Sequence, residues 1–306
     1  MNCTLTIHLG NSWTDPKQVK FSAIVKPSSP VFDNSALWYD SVGNSIYSFG
    51  GEQSLLDNAQ LDLSIWRLDL DGKGGGRWAV NTTYQNPPFS QDMTRPFGGA
   101  SAFTNSSAFY IGGASNYRSS PSLQKQLASV VLPGLVSYSF DTGAWKNSSG
   151  LGALSSSGSF QYGGVEPVPF GPNGLLAMWG GETSNASSYA YGLGRAMDQI
   201  TLYNPTTNIW YQQNITGAAP IARSKFCFVG VADSRPVSTA NPIGSYEIYI
   251  YGGYSGSLGQ GAEMFDEIWV LSLPAFTWQQ LDGSHSSARI GHTCHVVANR
   301  QMLSVG

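Results

Sequence analysis

The amino-acid sequence predicts an all-β fold: a β-propeller with four complete four-stranded blades and two half blades. Three observations support this fold class. A Gly-Gly pair closes a short apolar run four times, and a tryptophan follows each pair after 25 to 32 residues. Charged residues make up only 11% of the chain, as is typical of turn-rich β structure. A fixed cycle of this kind indicates one sheet-forming unit repeated about an axis. The pairs and their tryptophans are Gly50-Gly51 with Trp78, Gly112-Gly113 with Trp145, Gly180-Gly181 with Trp210, and Gly252-Gly253 with Trp278.

Each complete blade contains four short apolar runs bounded by turn residues, which we label strands a to d in chain order. In blade 1 the turn between strands a and b is centred on Gly43-Asn44. The predicted strands of blade 1 are residues 35–39, 45–49, 64–68 and 77–80; of blade 2, 99–103, 108–111, 135–140 and 145; of blade 3, 160–165, 175–179, 199–203 and 209–211; of blade 4, 226–231, 247–251, 267–271 and 277–278.

The residues left over at the two ends of the sequence form the half blades. Residues 4–9 and 12–13 supply strands c and d, and residues 292–297 and 302–305 supply strands a and b. Together they equal one blade, so the chain holds a five-blade equivalent, which could close a ring of five. Because the sequence stops at Gly306, the first half of an unfinished Gly-Gly pair, we favour separate blades of a six-bladed parent. Residues 1–306 are then one propeller domain truncated at both ends.

Charge and hydropathy exclude two kinds of partner. The formal net charge is −3 with no run of Lys and Arg, so we expect no binding to nucleic acid. The longest apolar stretch, residues 127–140, is broken by Pro133 and Gly134, so we expect no membrane span within the chain. The residues after Met1 lack the basic and apolar segments of a signal peptide. A secreted product would therefore need a leader that this sequence does not contain.

Sequons and cysteines bear on the cellular compartment. Six N-x-S/T sequons predict an extracellular or cell-surface location, with the cytoplasm as the alternative. Cys227 and Cys294 fall in strands a of consecutive blades, where we expect two buried thiols. An inter-blade disulfide is the alternative if the parent is secreted. The predicted glycosylation sites are Asn2, Asn81, Asn105, Asn147, Asn185 and Asn214.

Several motifs resemble a known repeat family. Arg-Ile-Gly-His at residues 289–292 opens a strand a, and Asn-Pro-Thr-Thr-Asn-Ile-Trp at residues 204–210 joins strands c and d. With the Gly-Gly pairs, they resemble the kelch repeat over nearly the whole chain. Ala-Leu-Trp-Tyr-Asp at residues 36–40 and His-Thr-Cys-His at residues 292–295 are similar to kelch proteins of filamentous fungi. That resemblance implies a propeller outside the cell, either secreted or membrane-anchored.

Blade 3 departs from the kelch pattern. It carries Gln161-Tyr162-Gly163-Gly164 where Arg-x-Gly-His is expected, and three prolines follow between its strands a and b. We therefore expect this blade to be irregular.

Charged residues flank the ends of the inner strands. The start of strand a and the end of strand b lie on one face of a blade, so these residues are predicted to form a charged rim of a binding face. Pairing with groups of the fold itself is the alternative. The predicted rim residues are Arg95, Arg223 and Arg289 ahead of strand a, and Glu52 and Glu182 after the Gly-Gly pair.

The loops between strands b and c at residues 114–134, 182–197 and 254–265 are long and rich in Tyr, Ser, Asn and Gly. Long loops on one face of a rigid scaffold commonly carry binding sites. Tyrosine suits such a site, since an apolar ring with a polar tip can stack on a sugar or a protein surface. Plain solvated loops are the alternative. The predicted contact residues are Tyr117, Tyr189, Tyr191 and Tyr254.

Catalysis and metal binding find little support in the sequence. Strand alternation puts His292 and Cys294 on one face and His295 on the other, so we expect a structural histidine and no metal. A copper enzyme similar to galactose oxidase needs two His, two Tyr and one Cys in convergent positions, and the chain has four histidines in all. We expect no cofactor.

These observations predict a non-catalytic kelch propeller that binds a protein or glycan partner through its loop-rich face. It would be the extracellular part of a fungal cell-surface or secreted protein. One alternative is an intracellular kelch adaptor or scaffold. The less favoured one is a galactose-oxidase-like copper enzyme.

Overall fold

The structure is a computed structural model that confirms the four predicted blades, with a separate two-stranded sheet near each end of the chain. In every blade the strands pair in the order a-b-c-d. The structure describes residues 3–10, 13, 15–26, 31–54, 64–82, 94–123, 129–148, 160–183, 193–233, 244–255, 262–282, 287–298 and 300–306.

The strand bounds follow the prediction within a few residues. Blade 1 consists of Ala36–Asp40, Ser45–Phe49, Trp66–Leu70 and Gly76–Val80; blade 2 of Ala100–Phe103, Ser107–Ile111, Leu135–Ser139 and Trp145–Ser148; blade 3 of Gly164–Val168, Leu175–Trp179, Gln199–Asn204 and Ile209–Asn214; blade 4 of Cys227–Ala232, Tyr246–Tyr251, Ile268–Leu273 and Thr277–Gln280. The N-terminal pair is Cys3–Ile7 with Phe21–Val25, and the C-terminal pair is Thr293–Val297 with Gln301–Val305.

Shorter elements complete the fold. Two-residue strands pair as Phe32–Asp33 with Glu52–Gln53, Ala114–Ser115 with Val130–Val131, and Glu182–Thr183 with Leu193–Gly194, while Thr216–Gly217 lies parallel to strand d of blade 4. The 3-10 helices are Pro16–Gln18 and Pro121–Leu123. In the ranges given above, no helix has the length and hydropathy needed to cross a bilayer.

The predicted strand d of the N-terminal pair is wrong. The partner of Cys3–Ile7 is Phe21–Val25, and Trp13 lies outside any strand, while Ser12 is not among the described residues. Asp15 explains the difference, because its carboxylate accepts the Lys17 N–H at 2.9 Å and so caps a 3-10 turn. Such a local side-chain bond competes with a β ladder.

The expectation of an irregular blade 3 is also wrong, since its four strands form a complete sheet. Strand a begins at Gly164 and not at Phe160, because the backbone of Tyr162 has a φ of 51° and interrupts the extended chain. Pro167 lies within strand a. It is tolerated there because strand a is at the edge of its sheet and needs no N–H on the open side.

The chain divides into two compact units, and each is described by itself. The first unit comprises Met1–Tyr110, Ser115–Ser129 and Val136–Asn147, and it contains the N-terminal pair, blade 1 and most of blade 2. The second comprises Ile111–Ala114, Val130–Leu135 and Ser148–Gly306, and it contains blades 3 and 4 and the C-terminal pair.

Tryptophans on strand d pack against the preceding sheet in three of four cases. In the first unit, the ring of Trp145 lies 5.2 Å from that of Phe49 in blade 1, and Trp78 donates to the Thr4 hydroxyl at 2.9 Å. In the second unit, the Trp278 indole donates to the Met197 carbonyl at 2.6 Å, next to blade 3. Trp210 differs: it is half-buried and lies 4.5 Å from the ring of its cross-strand partner Tyr203.

The Gly-Gly pairs make the same backbone contact four times. The N–H of each second glycine donates to a carbonyl just ahead of the next strand a, over 2.8 to 2.9 Å. All eight glycines have φ between 58° and 94°, a region that residues with a Cβ rarely adopt. The four bonds run from Gly51 to Pro96, Gly113 to Phe160, Gly181 to Arg223, and Gly253 to Arg289.

We predict that Gly252→Val lowers the unfolding free energy by about 3 kcal/mol, because backbone strain and a steric clash add together. A Cβ at Gly252 would lie 2.7 Å from the Arg289 carbonyl oxygen. Thermal unfolding of the variant measures the effect. Gly10→Val is the matched control, since a Cβ at Gly10 has nothing within 4 Å. Equal melting temperatures for the two variants would contradict this account of the turn.

Candidate functional site

A backbone position two residues before each strand a is left-handed in every repeat. We call these positions the lead-in residues, and their φ values lie between 51° and 66°. Glycine and asparagine adopt this conformation readily, whereas other residues lose about 1 to 2 kcal/mol in it. Blades 3 and 4 nevertheless carry bulky side chains there. The lead-in residues are Asn34, Gly98, Tyr162, Lys225 and Gly291.

The two strained lead-in residues meet in the second unit. The Lys225 ammonium lies 4.6 Å from the ring centroid of Tyr162 and 5.5 Å from that of Tyr254. The Lys225 N–H also donates to the Tyr162 carbonyl at 3.0 Å, which fixes the spacing of the two backbones. All three side chains are half-buried, so each keeps a solvent-facing part. We call Tyr162, Lys225 and Tyr254 the Lys225 platform.

Glu182 holds one member of the platform, Tyr254, through a hydrogen bond. It is 9% exposed and accepts hydrogen bonds from the Tyr254 hydroxyl at 2.8 Å and from the Ser224 hydroxyl. Burial, and next the bond to Glu182, raise the pKa of the Tyr254 hydroxyl, so Tyr254 stays a protonated donor at neutral pH. The ring orientation of Tyr254 is thereby fixed before any ligand arrives.

The backbone explains why these residues meet. Tyr254 and Ser224 exchange two backbone hydrogen bonds at 3.0 and 3.1 Å, just past the Gly-Gly pair of blade 4. Gln161 and Glu182 exchange the equivalent pair in blade 3. In blades 3 and 4 the residue after the Gly-Gly pair therefore sits beside the residue before the lead-in position.

Two of the predicted rim arginines are bound within the fold. Arg223 is 0% exposed, forms an ion pair with Glu267, donates to the Gly252 carbonyl at 3.2 Å, and stacks on Phe265. Burial lowers the pKa of Arg223, and Glu267 opposes that shift. Arg95 is 4% exposed and donates to the Gly50 carbonyl at 3.2 Å.

The remaining predicted residues occupy varied positions. In the first unit, Glu52 accepts from the Asn116 amide at 2.6 Å and lies 3.6 Å from the Arg118 guanidinium, while Tyr117 is 40% exposed. In the second unit, Arg289 donates to the Gly306 carbonyl at 2.7 Å. Tyr189 and Tyr191 lie outside the described residues.

The sequons differ in accessibility. Asn105, Asn147 and Asn214 are exposed. Asn81 is 1% exposed and its amide donates to the Tyr138 hydroxyl at 3.2 Å, so the folded chain leaves no room for a glycan there. Asn2 and Asn185 lie outside the described residues.

The expectation of two buried thiols is wrong, because Cys227 and Cys294 form a disulfide between blade 4 and the C-terminal pair. The bond closes a loop of 67 residues, which stabilises the fold by about 4 kcal/mol in a chain-entropy treatment. His292 is 6% exposed beside it, whereas His295 is exposed. Burial, and next the Arg289 guanidinium, lower the pKa of His292.

Four sheets of order a-b-c-d, each ending strand b in a Gly-Gly turn, define a kelch-type β-propeller. A Kelch repeat-containing protein of Arthroderma benhamiae is 24% identical over 342 aligned positions, which cover 99% of this chain and 47% of that protein. The predicted resemblance to a fungal kelch protein is confirmed by this homologue. The chain spans about half the length of the curated relative it matches. No protein-family model matches the chain.

The predicted residues Tyr254 and Glu182 lie at the Lys225 platform, whereas Tyr162 and Lys225 were not predicted from the sequence as contact residues. Aligning the sequences of the blades with one another would have indicated these two residues. Tyr162 and Lys225 stand where Arg-Ile-Gly-His has its glycine. A bulky residue in a glycine position indicates strain that the surrounding structure must offset.

We predict that Lys225→Gly is more stable than Lys225→Ala by about 1 kcal/mol, because both lack the side chain and only glycine relieves the left-handed strain. Urea unfolding of the two variants measures the difference. Lys146 on strand d of blade 2 is the matched control, where alanine should be more stable than glycine. The same order of stability at both positions would contradict the strain at Lys225.

Proposed function

We propose that this propeller is a non-catalytic binding module that holds a partner protein at the Lys225 platform. The kelch-type fold itself supports an interaction role. The observation that carries the proposal is the pair of strained lead-in residues, Tyr162 and Lys225, brought together on one accessible surface. Strained backbone conformations concentrate at ligand-binding sites.

The chemistry of the platform favours a protein surface with an acidic group. Tyrosine rings provide large apolar contact area at a small entropic penalty, and they are enriched at the centres of protein interfaces. Lys225 adds a positive charge held between two such rings. A carboxylate next to an apolar side chain would pair with the ammonium and pack on the rings. A neutral sugar would use the rings alone, so the charge favours a protein partner over a glycan.

We further propose that the propeller lies outside the cell. Disulfides persist in oxidising compartments and are rare in the cytosol. The Cys227–Cys294 bond and the exposed sequons at Asn105, Asn147 and Asn214 support this location. The intracellular adaptor is the competing location.

We predict that Lys225→Glu and Tyr254→Ala lower partner affinity at least about tenfold, since a central cation or aromatic residue commonly carries this much binding energy. Immobilised protein would capture partners from culture medium and cell-wall extract of the source organism, with quantitative mass spectrometry as the readout. Lys146→Glu, an exposed charge reversal on blade 2, is the control and should capture as the wild type does.

Equal capture by Lys225→Glu and the control would contradict binding at the platform. Capture that survives proteolysis of the extract would contradict a protein partner and favour a glycan. Matching melting temperatures show that each variant is folded.

We predict that endoglycosidase treatment of the native protein increases its electrophoretic mobility. Removing Asn105, Asn147 and Asn214 together by substitution with glutamine should reduce the shift, since these sequons are exposed. Asn81→Gln should leave it unchanged because the Asn81 side chain is buried. A native protein with no shift and a cytosolic pool would contradict the extracellular proposal.

A further inference from the structure

Three side chains with metal-binding donors converge between blade 4 and the C-terminal pair. Cys227 begins strand a of blade 4, Cys294 lies in the first strand of the C-terminal pair, and His292 directly precedes that strand. The two sulfur atoms and an imidazole nitrogen lie within 4.8 Å of one another. The three residues are 3%, 9% and 6% exposed, respectively.

The polar atoms at this place are poorly satisfied by the fold. Within the described part of the chain, both imidazole nitrogens of His292 and the Ser304 hydroxyl are buried without a hydrogen bond of good geometry, and the Tyr251 backbone gives the imidazole only a weak contact. Ser304 is the cross-strand partner of Cys294, so both side chains point to the same face of the pair. A buried polar group without a partner costs about 1 to 3 kcal/mol, and such groups in native proteins call for an explanation. A bound ion would satisfy the imidazole.

The shell of residues around these donors is largely apolar. The ring of Tyr251 meets the His292 imidazole edge-on with centroids 5.1 Å apart, which fixes the imidazole plane. The apolar part of the shell is formed by Val229, Tyr249, Ile268, Val296 and Met302. Low polarity around a metal site strengthens its charged ligand bonds.

We propose that the reduced protein binds one Zn²⁺ ion through Cys227, Cys294 and His292. Tetrahedral zinc takes thiolate sulfur at about 2.3 Å and imidazole nitrogen at about 2.0 Å, which places the donors roughly 3.5 to 3.8 Å apart. In the oxidised protein the two sulfur atoms are bonded to each other, and all three donor atoms lie within 4.8 Å of one another. Reduction frees the two sulfur atoms to move apart to the zinc spacing. Three protein ligands leave one position open to water.

The disulfide and the zinc site exclude each other. A dithiol reductant supplies two electrons and two protons, becomes a disulfide itself, and leaves Cys227 and Cys294 as thiols. Zinc binding then releases both thiol protons to solvent as the two Zn–S bonds form. In reoxidation the two Zn–S bonds break and the S–S bond re-forms. The two electrons pass to an acceptor disulfide, which takes up two protons and becomes a dithiol, and the ion leaves. The site therefore holds a covalent bond in an oxidising compartment and a metal ion in a reducing one.

The test uses the whole chain, reduced with a phosphine and desalted without oxygen. Titration with Co²⁺ should saturate at one equivalent, with thiolate charge-transfer absorption, and Zn²⁺ should displace it. The oxidised protein should show neither. His292→Ala should weaken Zn²⁺ binding at least about tenfold, as expected for loss of one metal contact. His295→Ala is the matched control, because His295 lies three residues further along the chain and its imidazole is exposed.

The Cys3→Ser variant tests whether the third cysteine contributes a ligand. It should bind Co²⁺ and Zn²⁺ as the wild type does. Equal binding by the reduced and oxidised forms would overturn the proposal, and this comparison needs no variant to fold. Equal affinity of His292→Ala and His295→Ala would overturn the role of His292. Co²⁺ spectra without thiolate absorption would overturn the role of both cysteines.

Discussion

The hydrogen bond from the second glycine of each Gly-Gly pair to the carbonyl ahead of the next strand a is the contact on which the fold depends. It is made by backbone alone, and it demands only that no Cβ occupy two successive left-handed positions. Once these glycines are present, the inward side chains can vary as long as they stay apolar. This tolerance fits a homologue that keeps the kelch repeat at 24% identity.

The same contact positions the candidate site. By fixing the end of strand b against the start of the following strand a, it sets the lead-in residues of blades 3 and 4 one hydrogen bond apart. The side chains of Tyr162 and Lys225 then lie against each other, next to Tyr254, which Glu182 binds. The platform thus follows from how the blades are joined, and the choice of Tyr and Lys at two lead-in positions distinguishes blades 3 and 4 from the other repeats.

The sequence was sufficient for features whose cause is local. Strand b of blades 1 and 3 was predicted with its observed bounds, because a short and mainly apolar run followed by Gly-Gly leaves little freedom in placement. The partner of the first strand was missed, since Asp15 acts through a side-chain bond to the backbone and leaves no mark on hydrophobic periodicity. The left-handed backbone of Tyr162 was missed because tyrosine itself does not indicate it, and only comparison with the glycine of Arg-Ile-Gly-His does.

The site was less predictable because its contacts are distant in sequence. The burial of Arg223 depends on its ion pair with Glu267, 44 residues further on. The disulfide likewise depends on two cysteines that are 67 residues apart. The spacing of residues in the sequence predicts which of them lie on neighbouring strands. It does not predict which of their side chains are buried.

The Cys227–Cys294 disulfide also has a mechanical consequence. A chain pulled from both sides of this bond transmits the force through the two sulfur atoms, and the 66 residues between the cysteines bear no tension. Almost all of blade 4, including Tyr254 of the platform, lies in that shielded segment. Lys225 lies just outside it. Tyr162 also lies outside it. Tension along the chain would therefore load the backbone that carries Tyr162 and Lys225, while the backbone that carries Tyr254 would be shielded.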